Sequence, residues 1–218
     1  MLRPIAGTLQ ELAEQFREVG QQSVRGGLAI ASGGNFSARD TESGGFIVTG
    51  TGTFLDRLTP DHFALMSEHG EHVGGIAPSS EWKLHHEVFR RRPDANVVLH
   101  LHPEVCVAVD ALGYPIRQLT LDHVAYVPRI GRIPFYPNGS VELAVESAKA
   151  MTDTDCVILG NHGCSVLGSS VDDAFRKVNN LEQAARMTYM LLTLGDASTE
   201  FPRELRRDAV HRANPLIP

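Results

Sequence analysis

Apolar positions along the first third of the chain alternate between helical and extended spacing. Residues 9, 12, 13, 16 and 19 recur at the interval of an amphipathic helix, and Thr8 with Glu11 has the form of a capping box. A first helix is therefore predicted from Thr8 to the glycine pair at 26–27. Two short apolar runs flank a glycine-rich turn, which predicts a β-hairpin over 36–39 and 46–49. A strand at 63–67 and then a loop follow.

The remainder of the chain continues the mixture of helical and extended patterns. The predicted elements are a helix from the serines at 79–80 to residue 92, a buried strand at 97–102, a helix at 103–112, extended segments over 115–137, a helix at 141–151, strands at 156–159 and 164–167, and a long helix from Ser170 to about Leu194. The pattern indicates one α/β domain over residues 1–218, with a polar C-terminal tail from about residue 195.

Composition narrows the class of protein. The 218 residues are 42% hydrophobic and 21% charged, with a net charge of −6, which is typical of a globular protein with a full core. The arginines form no basic stripe, so no nucleic-acid partner is expected. Three cysteines without metal-type spacing are expected to be reduced thiols. With neither a signal peptide nor a membrane span in the pattern, a cytoplasmic protein without a membrane partner is predicted.

Two histidines stand at the end of the strand at 97–102. Because side chains alternate faces along a strand, His100 and His102 point the same way, while Leu99 and Leu101 point the other. Such a pair can form half of a metal site. A third histidine, His162, follows another buried strand between glycines, where core packing explains it poorly. Three imidazoles leave an open coordination position, the pattern of a catalytic zinc site.

Several turns have the composition of an anion-binding site. Free N–H groups converge at the predicted helix start that contains Ser79 and Ser80, although serines there can equally be simple caps. Glu81 beside them is either a dipole-stabilising charge or a carboxylate base. The glycine- and hydroxyl-rich segments at 32–37 and 49–52 suit backbone amides around an anion, with ordinary turn chemistry as the alternative. Adjacent His85 and His86 cannot face one metal together.

These motifs together resemble the class II aldolase/adducin family, of which fuculose-1-phosphate aldolase is a member. The resemblance runs from about Leu9 to Leu194 and rests on five motifs in order, at residues 34–37, 49–52, 78–81, 100–102 and 161–163. It implies a three-layer α/β/α fold with a largely antiparallel central sheet. It also implies a homotetramer with active sites near subunit interfaces.

The resemblance further implies roles for individual residues. One zinc ion per chain would be held by His100, His102 and His162, and Glu81 would be the catalytic acid–base. Cleavage of a ketose phosphate would give dihydroxyacetone phosphate and an aldehyde through an enediolate. The residues that match the family's positions for binding the substrate phosphate are Gly34, Asn35, Thr51, Gly52, Ser79 and Ser80.

One departure from the family concerns the proton donor. Family aldolases use tyrosines, but no tyrosine follows Tyr189 here, and His123 stands near the earlier tyrosine position, flanked by Asp122 and Tyr126. His123 is therefore the candidate donor. The same scaffold hosts phosphopentose 4-epimerases, decarboxylases of phosphorylated 3-oxo acids, a thioribulose-phosphate dehydratase and non-catalytic adducin-like modules. Glu81, where epimerases usually have aspartate, favours an aldolase, and the retained histidines favour an enzyme.

Overall fold

The computed structural model describes residues 9–40 and 43–213, with side chains described as far as residue 210. Thr8, the predicted capping residue, lies outside the described residues. The helices are α1 (Leu9–Arg25), α2 (Trp82–Arg91), α3 (Glu104–Ala111), α4 (Leu121–Tyr126), α5 (Val141–Ala150), α6 (Val171–Thr193) and α7 (Arg206–Ala213). Short 3₁₀ helices span Leu55–Arg57, Pro60–His62 and Arg203–Leu205. The strands are β1 (Asn35–Arg39), β2 (Phe46–Thr49), β3 (Phe63–Met66), β4 (His72–Gly75), β5 (Val97–Leu101), β6 (Gly131–Ile133), β7 (Cys156–Leu159) and β8 (Gly163–Gly168).

The strands form one sheet in the order β4-β3-β2-β1-β5-β8-β7-β6. Every neighbouring pair is antiparallel except β6 with β7. This confirms the largely antiparallel sheet. The four central strands β1, β5, β8 and β7 are nearly all buried, because helices cover both of their faces.

Two hydrophobic clusters lie on opposite faces of the sheet and complete the three layers. Helices α1 and α6 pack on one face, where Phe16 and Leu181 meet Leu99 and Leu101 of β5. Helices α2 and α5 pack on the other face, where Val98 of β5 is buried. The alternation predicted for this strand is therefore confirmed, and it turns His100 toward the face that α2 covers.

Three regions differ from the sequence-based prediction. The segment at 115–137, predicted to be extended, contains α4, which Thr120 caps by accepting a hydrogen bond from the His123 N–H. The loop expected after β3 contains the exposed edge strand β4. The polar tail forms α7, which packs against α4. None of the described helices combines the length and apolar character that a membrane span requires.

Helix α2 also begins later than predicted. Its first helical residue is Trp82, so Glu81 occupies the N-cap position instead of the first turn. The Glu81 side chain makes no capping hydrogen bond, and its relative exposure is only 4%. A buried carboxylate that does not cap its own helix needs other partners, and these lie on β1, on β5 and in the turn between β7 and β8.

Candidate metal centre

Four side chains converge where β5, α2 and the β7–β8 turn meet. They are Glu81, His100, His102 and His162, and their ligand atoms all lie within 4.8 Å of one another. Nε2 of His100 is 3.0 Å from Nε2 of His102 and 3.1 Å from Oε2 of Glu81. Nε2 of His162 is 3.4 Å from Oε1 of Glu81. The structure thus brings together the three predicted metal ligands and the predicted acid.

Each histidine reaches the cluster because of its local backbone. His100 pairs with Asn35 of β1 and Ser165 of β8 in the centre of the sheet, so its side chain is fully buried. His102 follows the strand and lies against Gly33, where a Cβ would come within 3.0 Å of its Nδ1. His162 follows Asn161, whose left-handed backbone (φ 55°) forms the tight turn between β7 and β8.

The hydrogen bonds of His100 fix which of its nitrogens faces the cluster. Its Nδ1 is 3.0 Å from the carbonyl oxygen of Cys164. A carbonyl oxygen only accepts, so Nδ1 carries the hydrogen and Nε2 presents its lone pair. A ligating histidine commonly has its other ring nitrogen held in this way. The Nε2 atoms of His100 and His102 lie too close for two facing lone pairs, so a proton or a cation belongs between them.

Burial and charge together favour the ligand-binding protonation states. Burial and the neighbouring His100 lower the pKa of His102 to about 4 and that of His162 to about 4. Burial raises the pKa of Glu81, but His100, His162 and an Asn35 hydrogen bond outweigh it and hold that pKa well below its usual range. At neutral pH His102 and His162 are therefore neutral and Glu81 is ionised, which are the forms that bind metal ions.

A metal ion would also give a partner to a carboxylate oxygen that has no hydrogen bond within the part of the chain that the structure describes. Oε1 of Glu81 is buried and has no hydrogen-bond partner among the described residues. A buried charged oxygen without a partner is costly, and a cation among the imidazoles would stabilise it. Nitrogen and carboxylate donors of this kind suit a divalent transition metal. This cluster of Glu81, His100, His102 and His162 is called the metal cluster below.

The predicted phosphate-binding turns lie next to the metal cluster. Gly50 forms an isolated bridge with Pro78, the Thr51 N–H donates to the Ala77 carbonyl, and the Ser79 N–H donates to the Thr49 carbonyl. These bonds hold the segment at 49–52 beside the start of α2. The Phe36 N–H in turn donates to the Thr49 hydroxyl, 3.1 Å away. The three turns singled out in the sequence are therefore neighbours in space.

The predicted phosphate ligands differ in how exposed they are. Thr51, Gly52 and Ser80 are exposed, and nothing lies within 4 Å of the place where a Cβ on Gly52 would stand. Gly34 has a left-handed backbone (φ 85°) that presses it against the His100 carbonyl. Ser79 is buried, and its hydroxyl accepts from the Glu81 N–H.

Asn35 is buried as well, and it contacts the predicted base. Its Nδ2 donates to Oε2 of Glu81 at 3.0 Å, and its Oδ1 contacts Nε2 of His85. The link from His85 to Glu81 was missed in the sequence, where His85 and His86 are equally placed. The available signal was spacing: Glu81 at the N-cap of α2 and His85 within it are four residues apart, while Asn35 and Ser37 are two apart on β1.

His123 lies on α4 and packs against α6. Its Nδ1 accepts from the Leu119 N–H at 3.1 Å, and its Nε2 is 3.0 Å from Oε1 of Gln183. No hydrogen bond in the described part of the chain joins it to the metal cluster. Burial lowers the pKa of His123, and the Gln183 bond and Asp122 offset this in part. The role of His123 as a proton donor stays a prediction.

With this geometry established, the comparisons identify the family. Residues 10–189 match the Class II Aldolase and Adducin N-terminal domain, so the chain belongs to the class II aldolase/adducin family. It is 33% identical over 179 residues to the L-fuculose phosphate aldolase of Methanocaldococcus jannaschii, which covers 82% of this chain and 96% of that protein.

Two further comparisons extend the similarity. The 3-oxo-tetronate 4-phosphate decarboxylase of Escherichia coli is 28% identical over 187 residues, with 84% of this chain and 88% of that protein covered. The crystal structure of YgbL from Klebsiella pneumoniae superposes with a TM-score of 0.85 at 27% identity, covering 94% of this chain and all of that one. The resemblance read from the five motifs is thus confirmed at the level of family and fold.

Proposed function

We propose that this chain is a zinc-dependent carbon–carbon lyase that cleaves a ketose phosphate to dihydroxyacetone phosphate and an aldehyde. The observation that carries the proposal is the metal cluster itself. It combines three imidazoles and a buried carboxylate directly beside turns suited to a phosphate group. The aldolase relative at 33% identity supports the same reaction class.

Each part of the site would contribute one element of the chemistry. His100, His102 and His162 would hold one zinc ion per chain, which supplies Lewis-acid polarisation of substrate oxygens and spreads developing negative charge. In cleavage, a base takes the proton of the C4 hydroxyl, the bond between C3 and C4 breaks, and its electron pair moves into an enediolate. The proton taken up by that base passes to the ionised Glu81 carboxylate, which then delivers it to that carbon. In the reverse direction the same carboxylate removes it.

The phosphate group would be held away from the reacting carbons. The exposed turn with Thr51 and Gly52 faces open space, and Ser80 at the start of α2 presents a solvent-accessible hydroxyl. Gly34, Asn35 and Ser79 complete the proposed set. Binding energy from a non-reacting phosphate can be used to orient the carbonyl carbon.

The assembly and its location are proposed in the same sense. We propose that residues 1–218 form one domain, that the chain assembles as a homotetramer with sites near subunit interfaces, and that it acts in the cytoplasm on a small phosphorylated sugar. In such an assembly, His123 of a neighbouring subunit would be the proton donor.

A decarboxylase of a phosphorylated 3-oxo acid is the second candidate. It is favoured by the relative of that activity at 28% identity over 84% of this chain. Loss of carbon dioxide from a 3-oxo acid moves its electron pair into the neighbouring carbonyl and gives an enolate, so the same cluster would serve both reactions. The two differ in whether the group that leaves is an aldehyde or carbon dioxide.

A product screen with the zinc-loaded protein distinguishes the candidates. The panel contains ketose 1-phosphates, pentulose 5-phosphates and 3-oxo acid phosphates. An aldolase releases dihydroxyacetone phosphate and an aldehyde from a ketose 1-phosphate. Release of carbon dioxide would establish the decarboxylase, and epimer formation without net cleavage would establish an epimerase. If no member of the panel is turned over, the non-catalytic adducin-like interaction module is the remaining interpretation.

A further inference from the structure

We infer that His85, with Ser37 behind it, is a positioning residue that sets the orientation of the Glu81 carboxylate through Asn35. The inference rests on the proposed role of Glu81 as the base. It concerns a continuous line of hydrogen bonds that runs from the sheet interior to the metal cluster. His85 itself contacts no ligand atom of that cluster, and it reaches the proposed substrate site only through Asn35.

The line consists of three contacts between buried side chains. The Ser37 hydroxyl is 2.6 Å from Nδ1 of His85, Nε2 of His85 contacts Oδ1 of Asn35, and Nδ2 of Asn35 is 3.0 Å from Oε2 of Glu81. All four residues are buried, and Ser37 and His85 have no exposed surface. Water therefore does not substitute for any of these contacts.

Chemistry fixes the direction of every bond in the line. An ionised carboxylate only accepts, so Asn35 must turn its Nδ2 toward Glu81 and its Oδ1 toward His85. The Asn35 oxygen also only accepts, so His85 must carry its hydrogen on Nε2. Its Nδ1 is then a lone pair that accepts from the Ser37 hydroxyl. All donors thus point toward Glu81, and each bond polarises the next.

The fold makes this alignment nearly obligatory. Asn35 and Ser37 lie two residues apart on β1 and face α2, while Glu81 at the N-cap of α2 and His85 within it are four residues apart and face β1. Asn35 meets both Glu81 and His85, and Ser37 meets His85. A hydrophobic residue at position 85 could fill the space but could not hold the Asn35 amide in one orientation.

The consequence for Glu81 is a difference between its two oxygens. Oε2 is anchored by Asn35, whereas Oε1 is buried without a hydrogen-bond partner in the described part of the chain. The Asn35 hydrogen bond holds the Oε2 side of the carboxylate, so Oε1 is directed toward His162 and the interior of the metal cluster. Removing a hydrogen-bond partner that orients a residue of a metal site typically lowers metal affinity or activity by about 10–100-fold.

The test compares His85→Leu with His85→Gln, and uses His86→Leu as the matched control. His86 is the next residue on α2 but points outward, with its Nε2 3.0 Å from the Glu68 carbonyl oxygen. We expect kcat of His85→Leu to fall about 10–100-fold, while the dissociation constant for zinc stays within about threefold. His85→Gln keeps a donor near the Nε2 position and should recover most of the loss. The control should match wild type.

Two kinetic outcomes would overturn the inference. One is a kcat for His85→Leu that equals that of His86→Leu. The other is a zinc affinity that falls as far as kcat, which would make His85 a support of the metal site instead of the base. If His85→Leu does not fold, Ser37→Ala takes its place, since it removes the hydroxyl that holds the His85 tautomer; a loss of about threefold or more in kcat is expected.

A readout independent of activity separates this inference from the proposed function. Nitrogen-15 NMR of the metal-free wild-type protein should show His85 as the neutral Nε2–H tautomer, and the Nδ1–H tautomer would contradict the bond directions. A crystal structure of His85→Leu should show a rotated Asn35 amide and a displaced Glu81 carboxylate. If no substrate is turned over, the proposed function fails, and these two measurements still decide the role of His85.

Discussion

Two fully buried histidines, His100 and His123, differ in what their second ring nitrogen meets. His100 gives Nδ1 to the Cys164 carbonyl and directs Nε2 at Glu81 and His102. His123 accepts from the Leu119 N–H at Nδ1 and so carries its hydrogen on Nε2, which Gln183 accepts. Burial is therefore common to both histidines. What distinguishes His100 is the ring nitrogen that faces other possible ligand atoms.

Substitution of Glu81 should have the largest effect on turnover. Glu81→Gln is nearly isosteric but removes the proton acceptor, so kcat should fall by about 10²–10⁴ while the fold survives and zinc stays bound. The clearest assay is exchange of the α-proton of dihydroxyacetone phosphate in deuterated water without aldehyde. Unimpaired exchange in the variant would place the base elsewhere, with His123 or Asp122 as the next candidates. The surroundings of His123, and not those of His100, would then hold the base.

Loss of one cluster histidine should have the next largest effect. His162→Ala removes one of three nitrogen ligands, and a structural zinc site distributes about 10–16 kcal/mol over four ligands. We therefore expect the dissociation constant for zinc to rise by at least about 100-fold, measured by competition with a chelator. His69→Ala, at an exposed histidine outside the cluster, is the control. Full zinc content in His162→Ala would show that the cluster binds metal without its third histidine.

A smaller effect is expected at the phosphate turns. Ser80→Ala removes an exposed hydroxyl that would bond to a charged phosphate, so KM for the phosphorylated substrate should rise about tenfold at unchanged zinc content. Ser80 is a cleaner probe than Asn35, because Asn35 also contacts Glu81. Ser198→Ala, at an exposed serine of the tail, is the control. An equal KM for phosphorylated and unphosphorylated sugars would count against an anion site here.

The metal cluster could be predicted from the sequence because local geometry determines most of it. Strand alternation places His100 and His102 on one side, and a histidine after a buried strand, next to glycine, has few structural explanations. The five motifs then add the family. His85 could not be separated from His86, since both flank the apolar face of α2 and only the packing against β1 chooses between them.

The regions that were predicted wrongly carry weak local signals. Helix α4 spans only Leu121–Tyr126, which is too short for helical periodicity to appear. Strand β4 is exposed and ends in two glycines, so it has no alternation of apolar residues. Helix α7 is polar and packs against α4. Each of these elements depends on neighbours distant in sequence.

The smallest effect on turnover is expected for substitution of His123. This variant tests the comparison of His100 with His123 most directly. His123→Gln keeps a donor toward Gln183 but loses the acceptor for the Leu119 N–H, so the protein should be destabilised by about 1 kcal/mol. With both ring nitrogens already occupied, kcat should stay within about threefold of wild type. Gln183→Ala breaks the same contact without changing the imidazole and should behave alike.

The pH dependence of stability supplies an independent check on His123. Its pKa is lowered in the folded state, so the unfolded chain binds a proton that the folded chain does not, and stability is lost as the pH falls below about 6.5. His123→Gln should therefore lose less stability between pH 7 and pH 5 than wild type does, measured by urea unfolding of the metal-free proteins.

A kcat loss of 100-fold or more in His123→Gln, with Gln183→Ala unaffected and zinc retained, would instead make His123 the proton donor. It would then have to act on the substrate in the site of a neighbouring chain, across a subunit interface.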